Sequence, residues 1–213
     1  MSYTVREEGT GEYVEKKSSF IGRIRRVTTE EEARDFIAAI KKQERGARHN
    51  VFAYIIAEGD IVRYSDDGEP QGTGGQPVLH VLTANELSDV CLVVTRYFGG
   101  VLLGAPGLTR AYSRAASEAA ASVKRWQMAK ACIFEAELAY DVHARLTSFL
   151  EGVQLLETRY EEAVTMTVIT EAALEEELKG RLTDLSQGAA RLSESRAALC
   201  FRREDGFLEE IPG

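Results

Sequence analysis

Hydrophobic positions between Thr28 and Gln43 recur at the spacing of one helix face. The apolar residues of this stretch are Ala33, Phe36, Ile37 and Ile40. Residues three, four and seven positions apart lie on the same side of an α-helix, so this face is predicted to be buried. Thr29 and Glu32 have the spacing of a capping box, which predicts that the helix begins beside them.

Shorter runs on both sides of this helix, some of them only partly apolar, predict β-strands. The runs are 3–8, 12–17, 19–27, 50–57, 61–64 and 89–97. The last run contains the uninterrupted apolar segment Val90–Val94, which is typical of a strand covered on both faces. Gly9–Gly11 is predicted to form a turn between the first two strands. Two further helices are predicted over Pro77–Leu87 and Gly107–Val123.

The chain after Trp126 follows a simpler plan. Its elements are predicted in the order β-α-β-β-α-β, with strands over 128–139, 154–160, 163–170 and 190–202 and helices over 141–153 and 171–186. This succession is typical of a ferredoxin-like, split-βαβ domain. Asp141 is predicted to cap the first of these helices, and four leucines are predicted to face inward from the second: Leu174, Leu178, Leu182 and Leu185. The fold class is therefore predicted to be α+β with two domains, 1–126 and 127–213, divided near Lys124–Gln127.

Composition narrows the class of protein. The chain of 213 residues is 44% hydrophobic, which suits a protein with a packed core. It has no apolar run of the roughly 20 residues that a membrane-spanning helix needs, and its N-terminus lacks a secretory signal, so we expect a cytoplasmic protein without membrane contact. Cys91, Cys132 and Cys200 lie far apart in apolar strands, which favours buried reduced thiols. No Cys/His pair has metal-ligand spacing, and neither a metal site nor a cofactor is expected.

Charge is distributed unevenly along the chain. Residues 1–125 contain equal numbers of acidic and basic side chains, so the whole net charge of −8 lies in the remainder. An acidic domain repels phosphate backbones, and a protein partner is therefore favoured for the second domain. The first domain could present a local basic face to a ribosome, RNA or translation factor, formed by Arg23, Arg25, Arg26, Lys124 and Arg125. Alternatively, these residues only solvate the edge of a strand.

The candidate chemistry lies in two glycine-rich segments. Loop one, Ser65–Pro77, carries Asp66, Asp67 and Glu69 among four glycines and two prolines. Loop two, Phe98–Pro106, leaves a buried strand and enters a helix. It is not a Walker A loop, because the Gly-Lys-Ser/Thr sequence is missing.

Several interpretations of these loops are open. Arg96 and Arg110 flank loop two and could bind a phosphate or carboxylate beside the unpaired N–H groups of a helix N-terminus. Alternatively, Arg96 could pair with the carboxylates of loop one in a purely structural network. Those carboxylates could also bind magnesium or calcium, although Asp-Asp-Gly is equally typical of a turn. His49 could act as a general base, a ligand or a hydrogen-bonded structural residue.

The segments around both loops resemble the signature of the YigZ/IMPACT family. The matching motifs are His49-Asn50-x-Phe52-Ala53-Tyr54, Asp66-Asp67-Gly68-Glu69-Pro70-x-Gly72-Thr73-x-Gly75-x-Pro77 and Val94-Thr95-Arg96-Tyr97-Phe98-Gly99-Gly100-x-x-Leu103-Gly104-x-x-Gly107-Leu108-x-Arg110-Ala111-Tyr112. The resemblance implies a two-layer α/β first domain related to a ribosomal-protein domain, and a second domain similar to one of elongation factor G. Val51 stands where relatives commonly have cysteine, which excludes a nucleophile there. Pro106 stands where glycine is common, so loop two offers one backbone donor fewer.

The resemblance implies a translation-associated regulatory or binding protein, because eukaryotic relatives look like regulators of a translation-control kinase. The alternatives are an enzyme that acts on a phosphorylated or carboxylated small molecule bound at the two loops, and a purely structural interaction protein. No catalytic residue is assigned, and both loops are expected on one side of the first domain. The candidate ligand- or partner-binding residues are His49, Asp66, Asp67, Glu69, Arg96, Tyr97, Gly99, Gly100, Arg110 and Tyr112.

Overall fold

The computed structural model describes residues 2–151 and 153–211. The chain forms two compact units that divide between Trp126 and Gln127, and each combines helices with an antiparallel sheet. The predicted α+β fold class is confirmed. Among the described residues, no helix is both long enough and apolar enough to cross a membrane.

The described residues of the first unit form three helices and six strands, and a seventh strand begins at Arg125, just before the boundary, and lies mostly in the second unit. The strands are β1 (Tyr3–Val5), β2 (Gly9–Glu15), β3 (Ser18–Arg26), β4 (His49–Ile56), β5 (Ile61–Ser65) and β6 (Val90–Tyr97). The helices are α1 (Glu30–Gln43), α2 (Gly75–Ala84) and α3 (Gly104–Ala121). The sheet has the strand order β2-β3-β6-β4-β5, with every neighbouring pair antiparallel. β6 is therefore the central strand, and its end at Tyr97 leads directly into loop two.

Helices cover both faces of this sheet. α2 and α3 pack on one face, where side chains such as Phe20 and Leu92 are buried. α1 packs on the other face against Tyr54, Cys91 and Val93. The uninterrupted apolar run of β6 is thus covered on both sides, as predicted, because alternate side chains point into two different cores. α1 adds a layer to the two-layer arrangement that the resemblance implies.

The predicted start and buried face of α1 are confirmed. The side-chain oxygen of Thr29 accepts a hydrogen bond from the backbone N–H of Glu32 at 3.2 Å. The carboxylate of Glu32 accepts one from the backbone N–H of Thr28 at 2.6 Å, one residue earlier than a standard capping box. The four apolar residues of the predicted face are all buried: Ala33, Phe36, Ile37 and Ile40.

The predicted turn at Gly9–Gly11 is wrong, because these residues belong to β2 and pair with β3. α3 lies so close to the sheet here that side chains do not fit. A Cβ atom at Gly11 would lie 2.4 Å from the backbone nitrogen of Ala119, and one at Gly22 would lie 2.5 Å from the carbonyl oxygen of Ala115. These glycines therefore serve close helix packing rather than chain reversal.

The second unit contains β7 (Arg125–Leu138), which begins at the boundary, β8 (Leu155–Tyr160), β9 (Val164–Glu171), β10 (Arg191–Leu192), β11 (Arg196–Arg202) and β12 (Leu208–Glu210). Its helices are α4 (Tyr140–Arg145), α5 (Thr147–Leu150) and α6 (Glu175–Leu185), with a 3₁₀ turn at Ala172–Leu174. The strand order is β12-β11-β7-β9-β8, and β10 also pairs with β7. The predicted β-α-β-β-α-β succession is present within this set, while the ferredoxin-like assignment stays a prediction.

Several details of the second unit differ from the prediction. The polar segment Ser193–Ser195 divides the predicted last strand into β10 and β11, and β12 was not predicted. Asp141 makes no capping hydrogen bond, because it lies within the first turn of α4. Leu174 and Leu185 are exposed, since the 3₁₀ turn and the helix end place them outside the buried stripe that contains Leu182.

The three cysteines are buried and unbonded, as predicted. Burial raises the pKa of the Cys91 thiol well above its ordinary value, and that of Cys132 and Cys200 to about 11. These thiols are therefore protonated at neutral pH and act as small apolar core groups.

Candidate functional site

A buried network joins loop one to the start of loop two. Glu69 lies in loop one, Arg96 near the end of β6, and Tyr112 on α3. One carboxylate oxygen of Glu69 accepts a hydrogen bond from Nη1 of Arg96 at 2.7 Å and another from the hydroxyl of Tyr112 at 2.8 Å. The expected contact between the two loop regions is therefore present, and it takes the structural form that the sequence left open.

Burial makes this network important for stability. The side chains of Arg96 and Glu69 are only 9% and 3% exposed. The guanidinium of Arg96 lies between the rings of Phe20 and Phe98, with 5.6 and 5.5 Å from Cζ to the ring centroids. Two desolvated charges are tolerated because each compensates the other, and removing either one would leave an unpaired buried charge. The Nε atom of Arg96 is also buried but has no hydrogen-bond partner.

Tyr112 is a hydrogen-bond donor rather than an acid. Its ring packs edge-to-face against Phe20 at a centroid distance of 5.1 Å. Burial, followed by the nearby Glu69 charge and the hydrogen bond to it, raises the pKa of Tyr112 far above its ordinary value. The hydroxyl therefore keeps its proton and supports Glu69.

Asp66 satisfies backbone donors within its own loop. Its carboxylate accepts hydrogen bonds from the backbone N–H groups of Gly72, Gly74 and Gly75, at 2.8, 2.9 and 2.8 Å. Gly75 is the first residue of α2, so the protein supplies its own anion to this helix N-terminus. Burial alone would raise the pKa of Asp66, but the three N–H groups outweigh it and lower the pKa. Asp66 is therefore poorly suited to act as a general base.

Asp67 connects loop one to α1 and β4. Its two carboxylate oxygens accept hydrogen bonds from Nζ of Lys41 at 2.6 Å and from the backbone N–H of Asn50 at 2.7 Å. Its carbonyl oxygen accepts one from Nδ1 of His49 at 2.8 Å, which places the ring proton on Nδ1. All three loop-one carboxylates thus have different internal partners. No group of three His, Cys, Asp or Glu side chains in 2–151 and 153–211 is arranged to bind a metal ion.

The remaining predicted residues do not join this network. The hydroxyl of Tyr97 donates to Glu44, which also binds Arg23, and this hydrogen bond raises the pKa of Tyr97. Arg110 is exposed on α3 and does not line the cavity beside Arg96. A shared role of Arg96 and Arg110 around one anion therefore stays a prediction.

The two glycines of loop two have different roles. The backbone N–H of Gly99 donates to the side-chain oxygen of Ser18 at 3.1 Å, and a Cβ atom here would lie 2.1 Å from the carbonyl carbon of Lys17. Gly100 has a φ of +85° and open space around it. Gly99 permits a close backbone contact, whereas Gly100 permits a left-handed turn.

The two positions that depart from the family signature are both accommodated. Val51 is fully buried, and its side chain fills the space beside Gly74. α3 begins at Gly104, earlier than predicted, so Pro106 lies in the first turn of the helix rather than before it. The missing N–H of proline leaves no intrahelical hydrogen bond unmade there.

A cavity of about 220 Å³ opens beside Arg96. It is lined by Arg48, His49, Arg96, Phe98 and Leu102. Sequence reasoning identified His49 and Arg96 but missed the other three. A detectable signal was the presence of bulky apolar side chains in a glycine-rich loop, where turn residues normally predominate.

The similarity to known proteins is not limited to the motifs around the two loops but extends over most of the chain. The model of the Impact N-terminal domain matches residues 16–120, and that of a domain of unknown function, DUF1949, matches residues 137–189. The chain is 40% identical over 195 residues to IMPACT family member YvyE of Bacillus subtilis (strain 168), covering 90% of each protein. It is 29% identical to IMPACT family member YigZ of Escherichia coli (strain K12), covering 83% of this chain and 89% of that relative. A crystal structure of a hypothetical protein aligns with a TM-score of 0.61 at 26% identity, covering 90% of this chain and 95% of that one.

Proposed function

Because this chain belongs to the IMPACT family, we propose that it is a translation-associated regulatory or binding protein that acts in the cytoplasm through a ribosomal or protein partner. The translation link follows from the resemblance of eukaryotic relatives to regulators of a translation-control kinase. A shared family alone is a weak argument for a shared activity, so the proposal also needs support from the site.

The main support for the proposal is a contrast between the two loops. The carboxylates of loop one are hydrogen-bonded within the protein, whereas apolar side chains of loop two are exposed. Each carboxylate of loop one is engaged in internal hydrogen bonds. Loop two exposes three large apolar side chains that lie close together in the sequence. Phe98 is 51% exposed, Val101 43% and Leu102 83%. Adjacent exposed apolar side chains are typical of protein-binding surfaces.

The same contrast argues against an enzyme whose general acid or base is Asp66 or Glu69. General acid–base chemistry needs a carboxylate or imidazole that is free to exchange a proton with a substrate. Asp66 has a lowered pKa, and Glu69 neutralises a buried arginine. We therefore assign these residues to the support of loop two and not to catalysis.

For the second unit we propose a ferredoxin-like domain, similar to one of elongation factor G, that contacts a protein. The succession of β7, α4, β8, β9, α6 and β11 supports the domain type. The concentration of the net charge of −8 after residue 125 supports a partner with a basic surface. We propose the same division for the domains, 1–126 and 127–213.

The test is recovery of translation components by tagged full-length protein from lysate. Leu102→Ser removes the most exposed apolar side chain of loop two. Val62→Ser is the matched control, because Val62 is 42% exposed on β5, near the opposite end of the sheet from loop two. Recovered material is separated on a sucrose gradient and identified by mass spectrometry.

We expect the wild type and Val62→Ser to recover ribosomal particles or a translation factor, and Leu102→Ser to recover several-fold less. Absence of every translation component from the wild-type sample would contradict the proposed function. Equal recovery by both variants would contradict the assignment of loop two as the contact surface.

A further inference from the structure

We propose that the cavity beside Arg96 binds a terminal phosphate group, carried by a ligand that also has an aromatic base. This ligand site goes beyond the partner proposal and does not depend on it. A free nucleoside monophosphate and the phosphorylated end of an RNA share this chemistry, and the experiment below separates them.

The lining of the cavity is cationic and lacks a carboxylate. Arg48 is exposed, and it makes no ion pair within the part of the chain that the structure describes. The nearby Asp67 is already paired with Lys41, and Glu69 with Arg96. The positive charge of Arg48 therefore has no compensating acidic group in the cavity wall. Such an excess favours an anionic ligand.

Arg96 presents the edge that oxyanions prefer. Its Nη1 atom donates to Glu69, which leaves the edge formed by Nε and Nη2. This is an edge through which guanidinium groups bind phosphate and carboxylate with two parallel hydrogen bonds. Nε is buried and has no partner, an arrangement that costs free energy until an acceptor is supplied. The half-exposed Phe98 ring packs beside the guanidinium, so a ligand oxygen has to approach this edge alongside the ring.

His49 adds a directional group to the same wall. Its Nδ1 atom is held by the carbonyl oxygen of Asp67 at 2.8 Å, which fixes the ring and leaves Nε2 for a ligand. Because the ring proton is on Nδ1, Nε2 is an acceptor and suits the hydroxyl of a monoprotonated phosphate. The two guanidinium groups supply the donors for the remaining phosphate oxygens, a combination that a carboxylate with only two oxygens does not match.

The exposed ring of Phe98 is the reason to expect that the ligand contains an aromatic nucleobase. This ring is 51% exposed and lies at the rim of the cavity, 5.5 Å from the guanidinium carbon of Arg96. Exposed aromatic rings next to arginine are stacking platforms for nucleotide bases. A phosphate in the cavity would thus place an attached nucleoside within reach of this ring.

The experiment is calorimetric titration of purified full-length protein with adenosine monophosphate, adenosine, inorganic phosphate and a short RNA with or without a 5′-phosphate. The diagnostic variant is Arg48→Gln, because Arg48 is exposed and its loss should not affect folding. Arg45→Gln is the matched control, since Arg45 is exposed three residues earlier and does not line the cavity.

We expect the phosphorylated ligands to bind the wild type and Arg45→Gln equally, and Arg48→Gln about tenfold more weakly. Adenosine and unphosphorylated RNA should not bind. Binding of phosphorylated RNA without binding of the free nucleotide would support the proposal and identify RNA ends as the source. Failure of every phosphorylated ligand to bind, equal affinity of both variants, or equally tight binding of adenosine would overturn it. Purified components are used, so these outcomes are independent of the recovery of translation partners.

Discussion

The two glycine-rich loops are linked through Arg96 but use their residues in opposite ways. Loop one turns its polar groups inward, where Asp66, Asp67 and Glu69 bind backbone N–H groups, a lysine and a buried arginine. Loop two turns large apolar groups outward, among them Leu102. Glycine content alone therefore does not identify a ligand site. The useful signal is whether the polar groups nearby are satisfied within the chain.

Removing Glu69 should have the largest effect on this comparison, because loop one would no longer neutralise Arg96. We expect Glu69→Ala to lower the free energy of unfolding by about 3–5 kcal/mol, since it leaves a buried guanidinium unpaired. Urea unfolding measures the change. Glu58→Ala, an exposed position in the β4–β5 turn, is the control and should stay within about 0.5 kcal/mol of the wild type. A loss below about 1 kcal/mol for Glu69→Ala would show that Arg96 finds another partner.

The next largest effect on stability is expected in loop two, where substitution of Gly99 should cost more than substitution of Gly100. Gly99→Ala should lower the free energy of unfolding by about 3 kcal/mol, because the new Cβ collides with the backbone of Lys17. Gly100→Ala should cost about 1–2 kcal/mol, because it meets open space and only has to adopt a φ of +85°. Paired unfolding curves measure both changes. The opposite ranking would mean that loop two moves away from Lys17 easily.

Asp66→Asn tests whether loop one depends on a charged carboxylate. We expect a loss of about 2 kcal/mol at neutral pH, because an amide oxygen is a weaker acceptor for the three glycine N–H groups. The pKa of Asp66 is lower in the folded protein than its ordinary value of 3.8. Its stabilisation is therefore complete above that value and is lost as the pH falls through the folded pKa.

The pH dependence of the stability difference between the wild type and Asp66→Asn is an internal control. Below about pH 4, wild-type stability should fall towards that of Asp66→Asn, so the difference between the two should shrink in that range. Thermal unfolding between pH 2 and 7 measures it. A constant difference across the whole range would show that the charge of Asp66 contributes nothing.

The smallest effect on stability is expected in loop two. Leu102→Ser should change the free energy of unfolding by less than about 0.5 kcal/mol, because Leu102 is 83% exposed. The same variant is expected to impair partner recovery. A large loss of stability would mean that Leu102 belongs to the core, and the division between scaffold and contact surface would have to be abandoned.

Sequence periodicity predicted the elements better than the uses of individual residues. The face of α1 and the doubly covered strand β6 were predicted correctly, because both depend on local patterns of apolar residues. Gly9–Gly11 was misread as a turn, since its need for glycine arises from α3, about a hundred residues later in the chain. Local patterns contain no information about such a distant contact.

The candidate site shows the same limit. Arg96 and Glu69 were both identified, but whether they bound each other or a ligand depended on the fold. Arg48 and Leu102 were missed, because no local pattern shows that the turn after α1 and the tip of loop two border one cavity. Arg110 is exposed on α3 and does not line this cavity, so the sequence could not decide whether it acts together with Arg96.

The backbone contact at Gly99 has a consequence for the entropy of binding. Gly99 joins loop two to the β2–β3 turn through the hydrogen bond to Ser18 and the close approach to Lys17. A loop fixed at this point samples fewer conformations when free, so it has less conformational freedom to lose when a partner binds. Binding by Phe98, next to this fixed point, should therefore carry a smaller entropic penalty than binding by Leu102, which lies farther along the loop.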